Sequence, residues 1–392
     1  MDERFDRCPE RRGTGSVKWD LAGPLGKPAD VLPMWVADMD FRAPEAVTNA
    51  LRERIEHGIF GYSFPTAGYD AAVLDWFRLR HGWEAEADWL VKTPGVVFAL
   101  ATAVGALTEP GDAVLVQPPV YFPFFDVVKN QGRRLVENPL RLVDGHYELD
   151  FEDLEEKLRD EQVKMLLLCS PHNPVGRVWT PEELRRLGEL CMRYDVLLVS
   201  DEIHCDFAFS ETPHTVTLRA CPELADRTVM CTAPSKSFNL AGLQTSNLFI
   251  PNPALRARFQ AALDRMAVNG PNALGLVAGK AAYRGGAAWL DACRAYLRGN
   301  LDFLRSFLRE RLPEIKLIEP EGTYFAWLDC SALGLDPEAL DRFMTEKAKL
   351  WLDGGTIFGA GGAGFQRFNI ATPRAILQEA LDRLENAVRQ IS

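Results

Sequence analysis

At 392 residues the chain is longer than one hydrophobic core usually supports, so two domains are expected. Hydrophobic residues make up 47% and charged residues 25%, which suits a soluble globular enzyme. The formal net charge of −11 argues against a binder of phosphate backbones and leaves no polybasic patch for a membrane surface.

In chain order, the opening "MDERFDRCPERRG" lacks an apolar core of the signal-peptide kind, and no run approaches a spanning length. A cytoplasmic location is therefore expected, with neither nucleic acid nor membrane as partner. Residues 1–42 read as an irregular arm ending in "LPMWVADMDF". A helix is predicted from Pro44, with Val47, Leu51 and Ile55 as its apolar row and Gly58 as its stop. In "TPGVVFALATAVGALTEPGD" a Gly turn opens a buried helix that Pro110-Gly111 closes.

Short apolar runs then alternate with helical patterns. Residues 113–117, 164–170, 195–202 and 228–233 read as strands buried on both faces. Between two of them, "TPEELRRLGELCMRY" carries a capping box, with Thr180 as cap, Pro181 in the first turn and Glu183 completing it. This alternation predicts an α/β fold with a mainly parallel sheet covered by helices. Past about residue 290 the texture changes. Amphipathic helices flank a strand-like "TYFAWLDC", and a Gly cluster, "DGGTIFGAGGAG", leads into "FQRFNIA". These imply a smaller α+β domain, to which the arm contributes. The expected division is an arm at 1–42, a large domain at 43–288 and a small domain at 289–392. The eight cysteines show no CxxC pair and no metal-ligand spacing, and read as reduced core thiols.

Ligands of open α/β sheets bind beyond the carboxyl ends of the strands. There "MLLLCSPHNPVG" delivers Asn173, "VLLVSDEIH" delivers Asp201 and His204, and "VMCTAPSK" delivers Lys236. The amides of Val96 and Val97, opening the helix after Gly95, would form an anion site on the same rim. A lysine that forms a Schiff base must be partly desolvated so that its amine is neutral near pH 7. A carboxylate buried beside it needs a cationic partner, such as a protonated pyridine nitrogen. With a phosphate site added, the cluster describes pyridoxal 5′-phosphate better than a nicotinamide or a metal.

"SPHNPVGRVW", "SDEIH", "APSKSFNLAGLQ" and the distant "RFNIA" together resemble the fold type I pyridoxal-phosphate enzymes of the class I/II aminotransferase superfamily. "KWD" (18–20), "LPMWVADMDF" and "GIFGYS" narrow the likeness to the cystathionine β-lyase (C–S lyase, MalY/PatB-type) branch. The resemblance runs from about Lys18 to the C-terminus. It implies a seven-stranded central sheet and a homodimer with its sites at the subunit interface.

Carried over residue by residue, the resemblance makes Lys236 the lysine that holds the cofactor and the base that removes the substrate Cα proton. It makes Asp201 the partner of the pyridine nitrogen. Tyr121 becomes the aromatic stacked on the ring, counted with Lys236 and Asp201 as catalytic. Asn173 would bond the pyridine 3′-oxygen and border the substrate, and His204 stands where many aminotransferases keep a tyrosine on that oxygen. The phosphate would take the Val96 and Val97 amides, the Ser235 hydroxyl and Tyr62 from a second subunit. Arg367 would grip the substrate carboxylate, with the backbone around Ala37 completing that site. Two positions depart from the superfamily: Gln244 stands for a phosphate-binding arginine and Ala233 for a serine, with Thr232 and Ser235 beside it. The branch implies β-elimination from cystathionine or another cysteine S-conjugate. An aminotransferase would use the same residues, and a regulatory protein-binding role on the same fold is a third reading.

Overall fold

The computed structural model describes residues 2–209 and 211–391. The N-terminal arm holds a one-turn helix, Val17–Asp20, and a two-residue strand, β1 (Leu32–Pro33). Next come β2 (Leu90–Thr93), β3 (Ala113–Val116) and β4 (Arg134–Glu137), then a hairpin of β5 (Arg141–Val143) and β6 (His146–Glu148). They are followed by β7 (Val163–Cys169), β8 (Leu197–Asp201), β9 (Thr228–Thr232) and β10 (Ser246–Phe249). Nearer the C-terminus lie β11 (Lys316–Ile318), β12 (Phe325–Asp329), β13 (Leu350–Trp351), β14 (Asp353–Gly354) and β15 (Phe365–Asn369).

Among the described residues, the central sheet has seven strands in the order β2-β10-β9-β8-β7-β3-β4. Pairing is parallel from β9 through β4, while β10 runs antiparallel to both β9 and β2. The mainly parallel, helix-covered sheet expected from the sequence is thus what forms. Its four predicted strands appear within two residues of their expected bounds. The strands β2 (LVKT), β4 (RLVE) and β10 (SNLF) escaped the sequence reading because charged or polar residues interrupt each, whereas the equally short β3 (AVLV) is apolar throughout.

The predicted strands are apolar throughout because both faces are covered. Val114, Val116, Met165 and Leu167 pack beneath helices Val96–Leu107 and Pro123–Asn130. Leu115, Leu166 and Leu168 face helices Phe151–Asp160 and Pro181–Arg193 on the other side. Each such side chain contributes about 2 kcal/mol of burial, before the entropy of ordering it. The Thr180 capping box forms as predicted, with Glu183 N–H donating to Thr180 Oγ1 (3.1 Å) and Thr180 N–H donating to the Glu183 carboxylate (2.8 Å).

The apolar row predicted for the first long helix, Glu45–His57, does not hold to its end. Val47 is fully buried, Leu51 only half-buried, and Ile55 is exposed. Positions four apart advance about 40° around a helix at each step, so Ile55 has turned roughly 80° away from Val47. Gly58, in the left-handed conformation at φ 72°, ends the helix where expected.

The C-terminal sheet is antiparallel in the order β11-β12-β15-β14. Its Gly cluster serves a close backbone approach. A Cβ on Gly355 would lie 1.9 Å from the Gly362 carbonyl oxygen, and a Cβ on Gly362 equally near that of Gly355. The arm joins this region through the parallel pair β1–β13. We propose the division 1–42, 43–288 and 289–392 on that basis; its second cut falls in the first turn of helix Ala287–Arg311. No described helix is long and apolar enough to cross a membrane.

Candidate active site

A cavity of ≈ 470 Å³ lies beyond the carboxyl ends of β7, β8 and β9. Parallel pairing brings these three ends side by side, and each strand leads into a polar residue at the rim. Asp201 is the last residue of β8, Asn173 follows β7 by four positions, and Lys236 follows β9 by four. Ala37, Val96, Val97, Tyr121, Asn173, Asp201, His204, Ser235 and Lys236 all line the cavity.

The Asp201 carboxylate is buried and accepts one hydrogen bond, from the Ile203 amide (3.1 Å). Burial pushes its carboxyl up to about 7; the Ile203 amide and the charge of Lys236 act in the opposite direction. Burial likewise pushes the Lys236 amine down to about 8, with Asp38 and Asp201 drawing it back up and Arg367 opposing them. Lys236 Nζ donates to the Ala37 carbonyl at 2.8 Å. Beside it, Ser237 Oγ donates to buried Asp206, which also bonds Trp76 and His81, so the lysine's short helix is bolted to the core.

His204 is buried next to Asp201, edge-on to Tyr324 and Phe325, and its Nδ1 has no partner among the described residues. Burial, then the charges of Lys236 and Arg367, hold this imidazole neutral, well below the usual histidine range. Burial also raises the Tyr121 hydroxyl to about 12, so it too stays uncharged on the cavity wall.

At the opposite end, Val96 and Val97 begin the helix Val96–Leu107, directing its first amides toward the rim. Ser235, Gln244 and Thr245 line the same cavity. Thr232 does not contribute as its position beside Ala233 suggested. It points into the sheet, and its hydroxyl donates to the Asn247 carbonyl at 2.8 Å.

Arg367 sits behind Asn173, to whose Oδ1 it donates from Nη1 at 2.9 Å. Its Nη2 donates to the Trp35 carbonyl (3.0 Å) and pairs with Asp353, its neighbour across the β14–β15 ladder. Its Nε has no partner, and its plane lies over the Phe325 ring at 4.2 Å. The Ala37 carbonyl faces inward and accepts from both Lys236 (2.8 Å) and Tyr324 (2.9 Å). Tyr62 is fully exposed and does not line this chain's cavity.

The arrangement suits a flat heterocycle with a protonated nitrogen and an attached phosphate. A buried carboxylate without a cation in bonding contact calls for a positive partner, and the unpaired His204 Nδ1 calls for a polar one. The helix amides and the Ser235 and Thr245 hydroxyls suit an anion at the other end of the cavity. The residues present therefore fit the pyridoxal 5′-phosphate implied by the resemblance. Asp353, Tyr324 and Asp38 were not singled out from sequence. Asp353 and Tyr324 are brought in by strand register, which no local pattern reveals.

The family model for aminotransferase class I and II matches residues 29–384. The chain is 48% identical to "Cystathionine beta-lyase PatB" of Bacillus subtilis over 98% of its own length and 99% of that protein's. Among solved structures, cystalysin of Treponema denticola, whose crystals contain pyridoxal 5′-phosphate, superposes with a TM-score of 0.95 at 40% identity, covering 99% of both chains. The PLP-bound C–S lyase of Staphylococcus hominis gives 0.92 at 35% identity, covering 98% of this chain and 97% of that one.

Proposed function

The chain belongs to the class I and II aminotransferase family, and from that footing we propose that it is a carbon–sulfur β-lyase. Its substrate in this reading is L-cystathionine or a related cysteine S-conjugate, and its products are pyruvate, ammonia and a thiol. The cofactor is pyridoxal 5′-phosphate, which when bound supplies an electron sink for bonds at the substrate Cα.

The chain's own residues divide the remaining work. Lys236 is held at the cavity edge with its amine near neutrality, as a base for the Cα proton requires. Asp201 keeps a proton on the ring nitrogen by offering it the only buried carboxylate at that end of the cavity among the described residues. Tyr121 would form a wall for the ring, and His204 with the Asn173 amide would face its oxygen. Val96, Val97 and Ser235, joined by Gln244 and Thr245, would hold the phosphate. Arg367, bonded to the cavity-lining Asn173, would orient the substrate carboxylate. The Cβ–S bond then breaks with sulfur keeping the electron pair, and water completes the conversion to pyruvate and ammonia.

Tyr62 belongs to the same reading. Ile59, Phe60 and Phe64 around it are 66%, 59% and 76% exposed in a segment without helix or strand. A homodimer in which this segment reaches the neighbouring site gives those side chains a place and supplies a hydroxyl to the partner's phosphate.

The observation that carries elimination over transamination is the 48% identity, over nearly the whole chain, to a cystathionine β-lyase. The deciding assay supplies L-cystathionine without any keto acid. The expected result is continuous turnover with pyruvate, ammonia and homocysteine in equal amounts. An enzyme that stops after one turnover and restarts only on adding a keto acid is an aminotransferase instead.

A further inference from the structure

The turn that carries Ala37 is bonded along nearly its whole length. Arg367 holds the Trp35 carbonyl, and Asn369 Nδ2 donates to the carbonyls of Val36 (2.6 Å) and Asp38 (2.8 Å). Asn239, at φ 57°, donates to the carbonyls of Met39 and Phe41 and accepts from the Met39 amide. The two carboxylates of the turn are taken up by the N-terminal arm. Buried Asp40 accepts from Lys18 Nζ (2.7 Å), Trp19 Nε1 (3.0 Å) and Arg11 Nη1 (2.7 Å). Asp38 is held by Arg11 through both oxygens, Nη1 to Oδ1 at 3.1 Å and Nη2 to Oδ2 at 2.7 Å. The stretches "KWD" and "WVADMDF" are thus two sides of one contact, and no step assigned above uses it.

Charged groups face Lys236 from three elements: Asp38 on this turn, Asp201 on β8 and Arg367 on β15. The uncharged His204 and Tyr324 also approach it. Of the three charges, Asp38 acts most strongly, and it draws the amine toward its charged form. Among the described residues Asp38 has one ion-pair partner, Arg11.

We propose that Arg11 is a positioning residue of the active site, whose two-pronged grip on Asp38 keeps that carboxylate from pairing with the Lys236 amine. The arm is then part of the machinery that leaves Lys236 available, and not only a strap across the domain. An arginine suits the task because it is permanently charged and its planar fork matches both carboxylate oxygens. With Arg11 gone, the Asp38 side chain, 22% exposed, has no ion-pair partner left among the described residues, while its charge still acts on Lys236. The inference rests on Lys236 being the lysine that holds the cofactor. Lys236→Ala tests that separately, since loss of the visible absorption band is expected there whatever Arg11 does.

The test is a spectrophotometric pH titration of the visible band of the cofactor-loaded enzyme. Arg11→Gln should move the midpoint upward by about one pH unit, as an uncompensated carboxylate favours the protonated nitrogen. Asp38→Asn should move it downward. Arg11→Gln/Asp38→Asn should return it to within about 0.3 of wild type, because the two charges act as a pair. A mere brace would behave differently, since the double variant lacks Arg11 as fully as the single one does. A midpoint unmoved in Arg11→Gln, or one not restored in the double variant, overturns the proposal. Should Arg11→Gln fail to fold, Asp38→Asn decides alone: a downward shift supports the proposal, and an unmoved midpoint overturns it.

Discussion

Asp353 and Arg367 stand opposite each other across the β14–β15 ladder and form an ion pair with both side chains buried. In the proposed reading, a substrate carboxylate would meet a guanidinium already neutralised on one side by Asp353. Burial raises the Asp353 carboxyl, and the Arg367 charge and hydrogen bond act against that rise. Removing either member strands the other in a low-dielectric site. Asp353→Ala is expected to cost about 3 kcal/mol in urea denaturation, and Arg367→Met/Asp353→Leu to recover much of that loss.

The same arginine should show itself kinetically. Arg367→Lys keeps the charge but loses the fork, so KM should rise by about tenfold or more while kcat falls less, in steady-state assays with L-cystathionine. A kcat loss as large as the KM change would place Arg367 in the chemical step instead of in substrate capture.

Asp201 predicts a pH dependence for protein stripped of its cofactor. Its folded carboxyl, at about 7, lies above the ordinary aspartate value of 3.8. The stability tied to its proton is complete below the unfolded value and is lost as pH rises through 7. The loss is on the order of 4 kcal/mol. Lys236 titrates near 8, at the upper edge of this window. Thermal unfolding of the stripped protein between pH 4 and 7 should show the fall in wild type and not in Asp201→Asn. Adding cofactor should stabilise wild type more at pH 7 than at pH 5, since the ring nitrogen then provides the missing cation. Asp201→Asn should also lower lyase turnover by orders of magnitude, as expected when a developing charge loses its partner.

Borohydride treatment of the loaded enzyme should bleach its visible band, and peptide mapping should find the pyridoxyl group on Lys236. A label on any other lysine overturns the site as built here.

Tyr62 tests the assembly. Sedimentation should give a dimer. Tyr62→Phe should weaken cofactor binding by roughly tenfold, the worth of one hydrogen bond to a charged group. Its melting temperature should barely change, because Tyr62 makes no contact that the single chain needs. A fully active monomer would remove the basis for this role.

Much of the site could be read from sequence because its residues hang on local signals. Asp201, Asn173 and Lys236 each follow an apolar run by a fixed few positions, and parallel pairing of adjacent strands does the rest. Val96 and Val97 follow a glycine at the head of a strongly apolar helix. The sequence by itself therefore determined the α/β class, the four buried strands and the crevice at their carboxyl ends, since side-chain periodicity and turn chemistry act over a few residues. The tertiary structure alone decided the rest. Antiparallel register placed Asp353 on Arg367, the arm's return placed Arg11 on Asp38, and the turn at Ala37 placed its carbonyl on Lys236. These contacts join residues from 14 to 199 positions apart. Their energies arise from burial and charge between segments that share no local pattern, so they exist only once the chain has closed on itself.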